Sequence, residues 1–211
     1  MNKNLTHAAI LNLESRKRTA LVNSLSGFKS LNLIGSISKT GNTNLAIFNS
    51  VFHLGANPPL MGFIIRPDTV ERHTLQNIMD MGYYTINHVN KSIHEKAHQT
   101  AARYPSDVSE FDAVKLTPEY TNSFIAPYVK ESTIKIGLQF KERIDITLNG
   151  TSIIIGELQQ LYFPEKCWKD DGYLDIEKAG TIAGSSLDGY HRTALINRYS
   201  YAKPDKKLEI I

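Results

Sequence analysis

Residues 143–158 limit this chain more than any other stretch. Arg143-Ile144-Asp145-Ile146-Thr147-Leu148 alternates polar and apolar side chains, the period of a strand with one face buried. Asn149-Gly150 follows, the pair favoured in two-residue hairpin turns. Ser152-Ile153-Ile154-Ile155-Gly156-Glu157-Leu158 then runs back beside it. Such a hairpin is antiparallel, and its edges need further partners. Ile134-Lys135-Ile136-Gly137-Leu138 alternates in the same way and supplies another strand.

Further strands are expected over residues 29–37, 45–53, 60–65 and 83–89. The run Leu60-Met61-Gly62-Phe63-Ile64-Ile65 has the pattern of a strand buried on both faces. Thr40-Gly41-Asn42 marks a hairpin turn, and Asn57-Pro58-Pro59 breaks the chain. Leu75, Ile78 and Met79 repeat at helical spacing from a start at His73-Thr74, with Gly82 just past the end. A weaker helix start lies at Asp68 or Thr69. Residues 92–103 read as a polar helix, 104–120 as a loop-rich insert, and 174–182 as one helix. Residues 184–190 read as a glycine-serine loop and 199–203 as a late extended piece. Residues 1–20 read as a short strand or a loosely held arm, and 24–27 as a turn or short helix. Six or seven strands with few helices predict a mainly β fold, a closed antiparallel barrel.

The 211 residues suit one domain with a core of its own. Net charge is +3 with no basic block, which does not favour nucleic acid. One cysteine, Cys167, excludes an intrachain disulfide framework and reads as a packed thiol. With no signal-peptide core and no apolar run near ~20 residues, the expectation is a cytoplasmic protein that does not enter a membrane.

Several constellations carry candidate chemistry. His94-Glu95-Lys96-Ala97-His98 matches a zinc-hydrolase spacing, but the segment is short and polar and lacks a third ligand. Ser185 and Ser186 with Asp188 and His191 supply triad residue types within seven positions, without a nucleophile elbow. Gly35-Ser36 and Gly41 form no phosphate loop of known spacing. Arg66, Arg72, His73 and Thr74 gather where a helix opens. They read equally as an anion site at a helix N-terminus or as Thr74 capping the helix with arginines in solvent. On residue chemistry alone, residues 41–74 read as core strands joined by a Pro-rich turn. The alternative is a site for a flat, polar-edged ring carrying a phosphate.

The order of these motifs resembles a known family. Gly41-x-x-Asn44-Leu45-Ala46-x-Phe48-Asn49-Ser50, Asn57-Pro58-Pro59-Leu60, Arg72-His73-Thr74-Leu75-x-Asn77-Ile78 and Tyr84-Thr85-Ile86-Asn87 are similar to the flavin reductase-like, FMN-binding split-barrel proteins. Those proteins include flavoredoxins and the reductase components of two-component monooxygenases. The resemblance covers about residues 25–200. It implies a six-stranded antiparallel split β-barrel with peripheral helices, one domain over residues 1–211, and an N-terminal arm and C-terminal tail outside the core. It further implies a homodimer with FMN near the interface. Asn44, Leu45, Ala46, Asn49 and Ser50 would line the ring and ribityl chain, and Arg66, Arg72, His73 and Thr74 would hold the phosphate. The implied reaction passes hydride from NADH or NADPH to the flavin, with electrons going on to an acceptor such as an oxygenase. No metal and no acid–base side chain is needed, because the flavin carries the chemistry. Two departures bear on nicotinamide. Asn149-Gly150-Thr151 stands where many members have Gly-Asp-His, and Ser186-Leu187-Asp188-Gly189-Tyr190 lacks the usual Arg and one Gly. The alternative is a flavin binder or sensor that does not use nicotinamide.

Overall fold

The computed structural model describes residues 2–67, 71–121 and 123–211. The possible helix start at Asp68 or Thr69 lies outside them. Two helices open the chain, α1 (His7–Leu11) and α2 (Ser15–Ser24), where the sequence suggested a strand or arm. Side-chain caps explain the difference. The Thr6 hydroxyl accepts the Ala9 N–H at 3.3 Å, and the Glu14 carboxylate accepts those of Arg16 and Lys17 at 2.9 and 3.1 Å. Neither helix contains a buried residue.

The strands follow: β1 (Lys29–Ser30), β2 (Asn32–Ile37), β3 (Thr43–Phe48), β4 (Phe52–Ala56) and β5 (Pro59–Ile65). Helix α3 (His73–Met81) leads to β6 (Tyr83–His88), then α4 (His94–Gln99), α5 (Glu110–Val114), β7 (Pro118–Thr121) and β8 (Phe124–Val129). The long hairpin β9 (Lys135–Ile146) and β10 (Thr151–Tyr162) precedes a small hairpin, β11 (Ala183–Ser185) and β12 (Gly189–His191).

Seven strands form one antiparallel sheet in the order β3-β2-β6-β9-β10-β5-β4. The expectation of six strands closed into a ring needs correction, because no ladder joins β3 to β4 or β5 among the described residues. The sheet is nevertheless rolled. Five strand spacings separate β3 from β5, about 24 Å if flat. Yet the rings of Phe48 on β3 and Phe63 on β5 lie 5.1 Å apart, and Phe63 meets Tyr84 of β6 at 5.6 Å. Buried side chains therefore bring the two ends together where backbone bonds do not. The interior holds Ile34, Phe63, Tyr84, Ile86, Leu138 and Ile154, with Leu75 and Ile78 of α3 against it and Cys167 fully buried among them. Full burial of side chains of this size contributes about 1.5–3 kcal/mol each. A second cluster outside the barrel joins Leu33 and Leu45 to Ile93 and Ala97 near α4 and Phe111 of α5.

Other departures have local causes. The expected strand over 45–53 is two, β3 and β4, separated by residues 49–51. The expected strands at 134–138 and 143–148 are one 12-residue strand whose register shifts against β10 between Ile155 and Gly156 and between Leu158 and Gln160. Strand β5 is not buried on both faces, since Ile64 is 40% exposed. Residues 176–180 form turns instead of the middle of a helix; Asp175 Oδ1 takes the Lys178 N–H at 2.9 Å, a bond that competes with helix. The polar helix expected over 92–103 is only α4, and the 104–120 insert contains α5 and the start of β7. The glycine-serine loop is the β11–β12 hairpin, and 199–203 is irregular beyond a Tyr199–Ile210 bridge. Among the described residues no helix is long and apolar enough to cross a membrane.

Tyr84 presses on the register shift in β10. A Cβ added at Gly156 would lie 2.9 Å from Tyr84 Cζ, and the Tyr84 hydroxyl is buried with no partner among the described residues. Gly156→Ala is therefore expected to cost about 1–3 kcal/mol in urea unfolding. Tyr84→Phe removes an unpaired buried hydroxyl. It should be neutral or stabilising alone and should recover part of the Gly156→Ala loss. A Gly156→Ala protein as stable as wild type would show that Tyr84 is not held against β10.

Candidate functional site

A cleft of about 1250 Å3 runs along the seam where the barrel fails to close. One wall is β3, with Asn44, Ala46, Ile47 and Phe48. Across from it lie Phe52 of β4 and Ile64 and Ile65 of β5. The start of α3, His98 on α4 and residues 100–104 after it, Phe28 and Lys29, and the β11–β12 hairpin close the ends. Exposure of Ile64 follows from this position.

The seam leaves backbone groups unpaired by the sheet. β3 is an edge strand, and in an antiparallel ladder successive residues point their N–H and C=O alternately to the partner and away. Leu45 donates its N–H outward, to Glu110 Oε2 at 2.9 Å. Thr43, Leu45 and Ile47 therefore face the outer edge. Thr43 Oγ1 meets Ser109 Oγ at 2.6 Å, so the start of α5 lies along the edge and takes its backbone N–H at residue 45. Ile47 lies beyond α5, on the cleft.

The other end is an anion-binding geometry. Arg72 is the N-cap of α3 and makes no side-chain capping bond, and His73, Thr74 and Leu75 all line the cleft. First-turn N–H groups lack helical acceptors and attract negative charge. Thr74 does not cap the helix, as one sequence reading had it, because it sits two residues beyond the N-cap. Its hydroxyl instead accepts from Asn44 Nδ2 at 2.9 Å. Arg72 is not free in solvent either: Nε and Nη2 donate to the Pro67 carbonyl at 3.3 and 3.1 Å. His73 lies 3.5 Å from the Glu71 carboxylate. Arg66 is exposed on the rim. Lys29 shares the cleft; burial, and then the Arg66 guanidinium, hold it below the ordinary lysine value.

Eight of the nine residues expected at a ligand site line this one cleft: Asn44, Ala46, Asn49, Ser50, Arg66, Arg72, His73 and Thr74. Leu45 does not, because its side chain is fully buried in the outer cluster. Several of the eight already hold the seam together. Asn49 Nδ2 donates to the Ser186 carbonyl at 3.0 Å. Ser50 Oγ donates to the Ile64 carbonyl at 3.0 Å and accepts the Ile64 N–H at 3.2 Å. Asn44 and Asn77 both reach Ser36 Oγ, at 3.4 and 3.2 Å.

Sequence reasoning missed Glu110, Lys29 and Tyr190. Glu110 is 6% exposed on a five-residue helix inside the insert, and no local pattern marks it. The His94–His98 pair flanks the Tyr190 ring, with His98 Nδ1 2.8 Å from the hydroxyl. Among the described residues no group of three or more His, Cys, Asp or Glu is placed to hold a metal. Ser185 Oγ does meet His191 Nε2, at 2.7 Å, across the β11–β12 hairpin; no hydrogen bond joins Asp188 to that pair among the described residues.

A family model described as a flavin reductase like domain matches residues 28–177. The chain belongs to the flavin reductase-like family. A split-barrel protein of Shewanella frigidimarina NCIMB 400, assigned as a flavin reductase, is 50% identical, with a TM-score of 0.92 over 95% of this chain and 100% of that one. Nitrilotriacetate monooxygenase component B from Bacillus cereus shares the fold at 21% identity, with a TM-score of 0.81 over 92% of this chain and 98% of that one. An uncharacterized protein of Aquifex aeolicus (strain VF5) is 29% identical over 126 residues, 59% of this chain, and the chain spans 63% of that relative's length. Membership supports a flavin-related oxidoreductase function with a flavin as cofactor. The matched segment contains all the flavin reductase-like residues named above for the β3 wall and the α3 start.

Asn44 joins those two walls. It is 6% exposed and donates to α3 through Thr74. Asn44→Ala strands the Thr74 hydroxyl, while Ser36 keeps Asn77, and should cost about 1–3 kcal/mol in thermal or urea unfolding. Wild-type stability in that variant would show that α3 is not held to β3 through this bond.

Proposed function

We propose that the cleft binds FMN and that the protein is an oxidoreductase that passes hydride from NADH or NADPH to that flavin. The observation that carries this reading is the pairing of two features across one cleft. At one end is an uncapped helix N-terminus flanked by Arg72 and His73, and along one wall is a free strand edge. The first suits a phosphate. The second suits the donor and acceptor rim of a flat ring, with the N–H and C=O of Ile47 turned toward it. Small or polar side chains at Ala46, Asn49 and Ser50 permit close approach. The bound flavin supplies hydride and electron transfer. The protein's residues bind the phosphate, orient the ring and leave room on the cleft for a donor. The reading includes a homodimer, a cytoplasmic location and a single flavin reductase-like unit over residues 1–211. It also includes an oxygenase or similar acceptor, as the name of the Bacillus cereus monooxygenase component suggests.

A second reading has a specific basis. The hairpin tip at Asn149-Gly150-Thr151 offers no imidazole, and Asn149 Oδ1 is taken up by the Thr151 N–H and hydroxyl at 3.1 and 2.7 Å. Under that reading FMN is carried or sensed without nicotinamide.

The test is a fluorescence titration of the protein with FMN and with riboflavin, followed by anaerobic addition of NADH or NADPH. Bleaching of the bound flavin is expected, and a flavin that stays oxidised with both donors selects the carrier reading. Replacing Arg72 and Thr74 by Ala should weaken FMN about tenfold, ~1.4 kcal/mol, and leave riboflavin nearly unchanged. Equal losses for both ligands would remove the phosphate role, and no binding of either would remove the flavin reading.

A further inference from the structure

Glu110 is out of place by charge. The cleft is lined by Lys29, Arg66, Arg72 and Arg103, its other carboxylate among the described residues is the exposed Glu71 beside His73, and its proposed ligand is an anion. A buried carboxylate on the same wall repels such a ligand unless it does something else. Its geometry is specific. It is 6% exposed, lines the cleft, and takes the outward N–H of Leu45 at 2.9 Å. It takes the outward backbone N–H at residue 45, while Ser109 beside it meets only the Thr43 hydroxyl. The next outward backbone groups belong to Ile47, which lines the cleft.

We propose that Glu110 is a positioning residue that occupies the Leu45 end of the β3 edge, leaves the Ile47 end for the ligand, and holds a negative charge beside it. This rests on the reading that a flavin binds in the cleft. Without Glu110, two adjacent sites on the edge would offer an N–H to the ring and its register would be ambiguous. With it, one site remains. The charge has a separate consequence. Two-electron reduction by dithionite, which is oxidised to sulfite, takes up one proton and adds one negative charge to the ring. A carboxylate nearby disfavours that added charge and so lowers the reduction potential.

Burial is the largest influence on the Glu110 carboxyl and raises it above the ordinary glutamate value; the Leu45 N–H, its own backbone N–H and His73 act in the opposite direction. The groups that face it are few. β3 contributes no ionisable side chain, and α3 contributes His73, itself beside Glu71. His94, Glu95, Lys96 and His98 lie on α4, Arg103 and Tyr104 follow it, Tyr190 is on β12, and Asp112 is on α5 itself. A carboxyl raised in the folded state favours folding below its unfolded value, and that contribution is lost as pH rises through the raised value.

Glu110→Gln keeps the shape and an acceptor for Leu45 but removes the charge, and Glu110→Ala removes both. Midpoint potentials of the FMN-loaded proteins, titrated with dithionite across pH, are the main readout. Glu110→Gln should bind FMN about as tightly as wild type, shift the potential positive at neutral pH, and lose a pH inflection that wild type shows. Glu110→Ala should bind FMN about tenfold more weakly, ~1.4 kcal/mol. Without ligand, Glu110→Gln should gain stability relative to wild type in urea unfolding as pH rises from the ordinary glutamate value through the raised one. That arm stands even if Glu110→Ala fails to fold or the protein binds no flavin. The proposal is overturned if Glu110→Gln matches wild type in potential at every pH, or if its ligand-free stability difference does not change with pH. Failure of the flavin reading is separate, since it appears as no binding by wild type.

Discussion

The site depends on a sheet that rolls without closing. Packing of Phe48, Phe63 and Tyr84 draws the first and sixth strands together. No backbone ladder completes the ring among the described residues. An edge strand facing solvent invites unwanted pairing. Here the edge of β3 is covered in part by Ser109 and Glu110, and the remainder looks into a cleft. The side chains that expectation assigned to ligand contact also brace this seam. Asn49 reaches the β11–β12 hairpin, Ser50 bridges to β5, and Asn44 fastens α3. Seam structure and the proposed binding surface therefore share residues.

Charge is distributed along the cleft with a purpose that the fold makes readable. Helix α3 opens without a capping side chain, so its first N–H groups remain available where Arg72 and His73 stand. The proposed phosphate would meet that end. The carboxylate of Glu110 lies on the opposite footing. It satisfies a backbone donor at the cost of a buried charge, a balance that backbone N–H bonds and a nearby imidazole make tolerable.

Much of the architecture is legible in local pattern. The long hairpin forms where Asn149-Gly150 marks it, but its turn takes four residues, 147–150, with Gly150 at φ 71°, and Thr147 and Leu148 leave the expected strand. Helix α3 starts at His73 and ends at Gly82, as the spacing of Leu75 and Ile78 predicts. Errors gather where a side chain or a neighbour overrides the pattern. Glu14 caps a helix in the expected arm, Asp175 breaks an expected one, and a shifted register carries β9 through Gln139, Lys141 and Glu142. Eight of the nine expected site residues meet in one cleft because they came as ordered motifs on consecutive elements. Leu45 was placed with them by the family resemblance, and strand alternation turns its side chain the other way.

The sequence by itself determined the strand-rich class, the long hairpin and the α3 boundaries, since each rests on propensity or spacing within a short window. Tertiary structure decided whether the barrel closes, which edge of β3 stays open, and that Glu110 from a distant insert meets Leu45. Those outcomes depend on contacts between residues far apart in the chain, 65 positions for Glu110 and Leu45. No local pattern encodes such a contact, because it exists only once the sheet has rolled and α5 has packed against its edge.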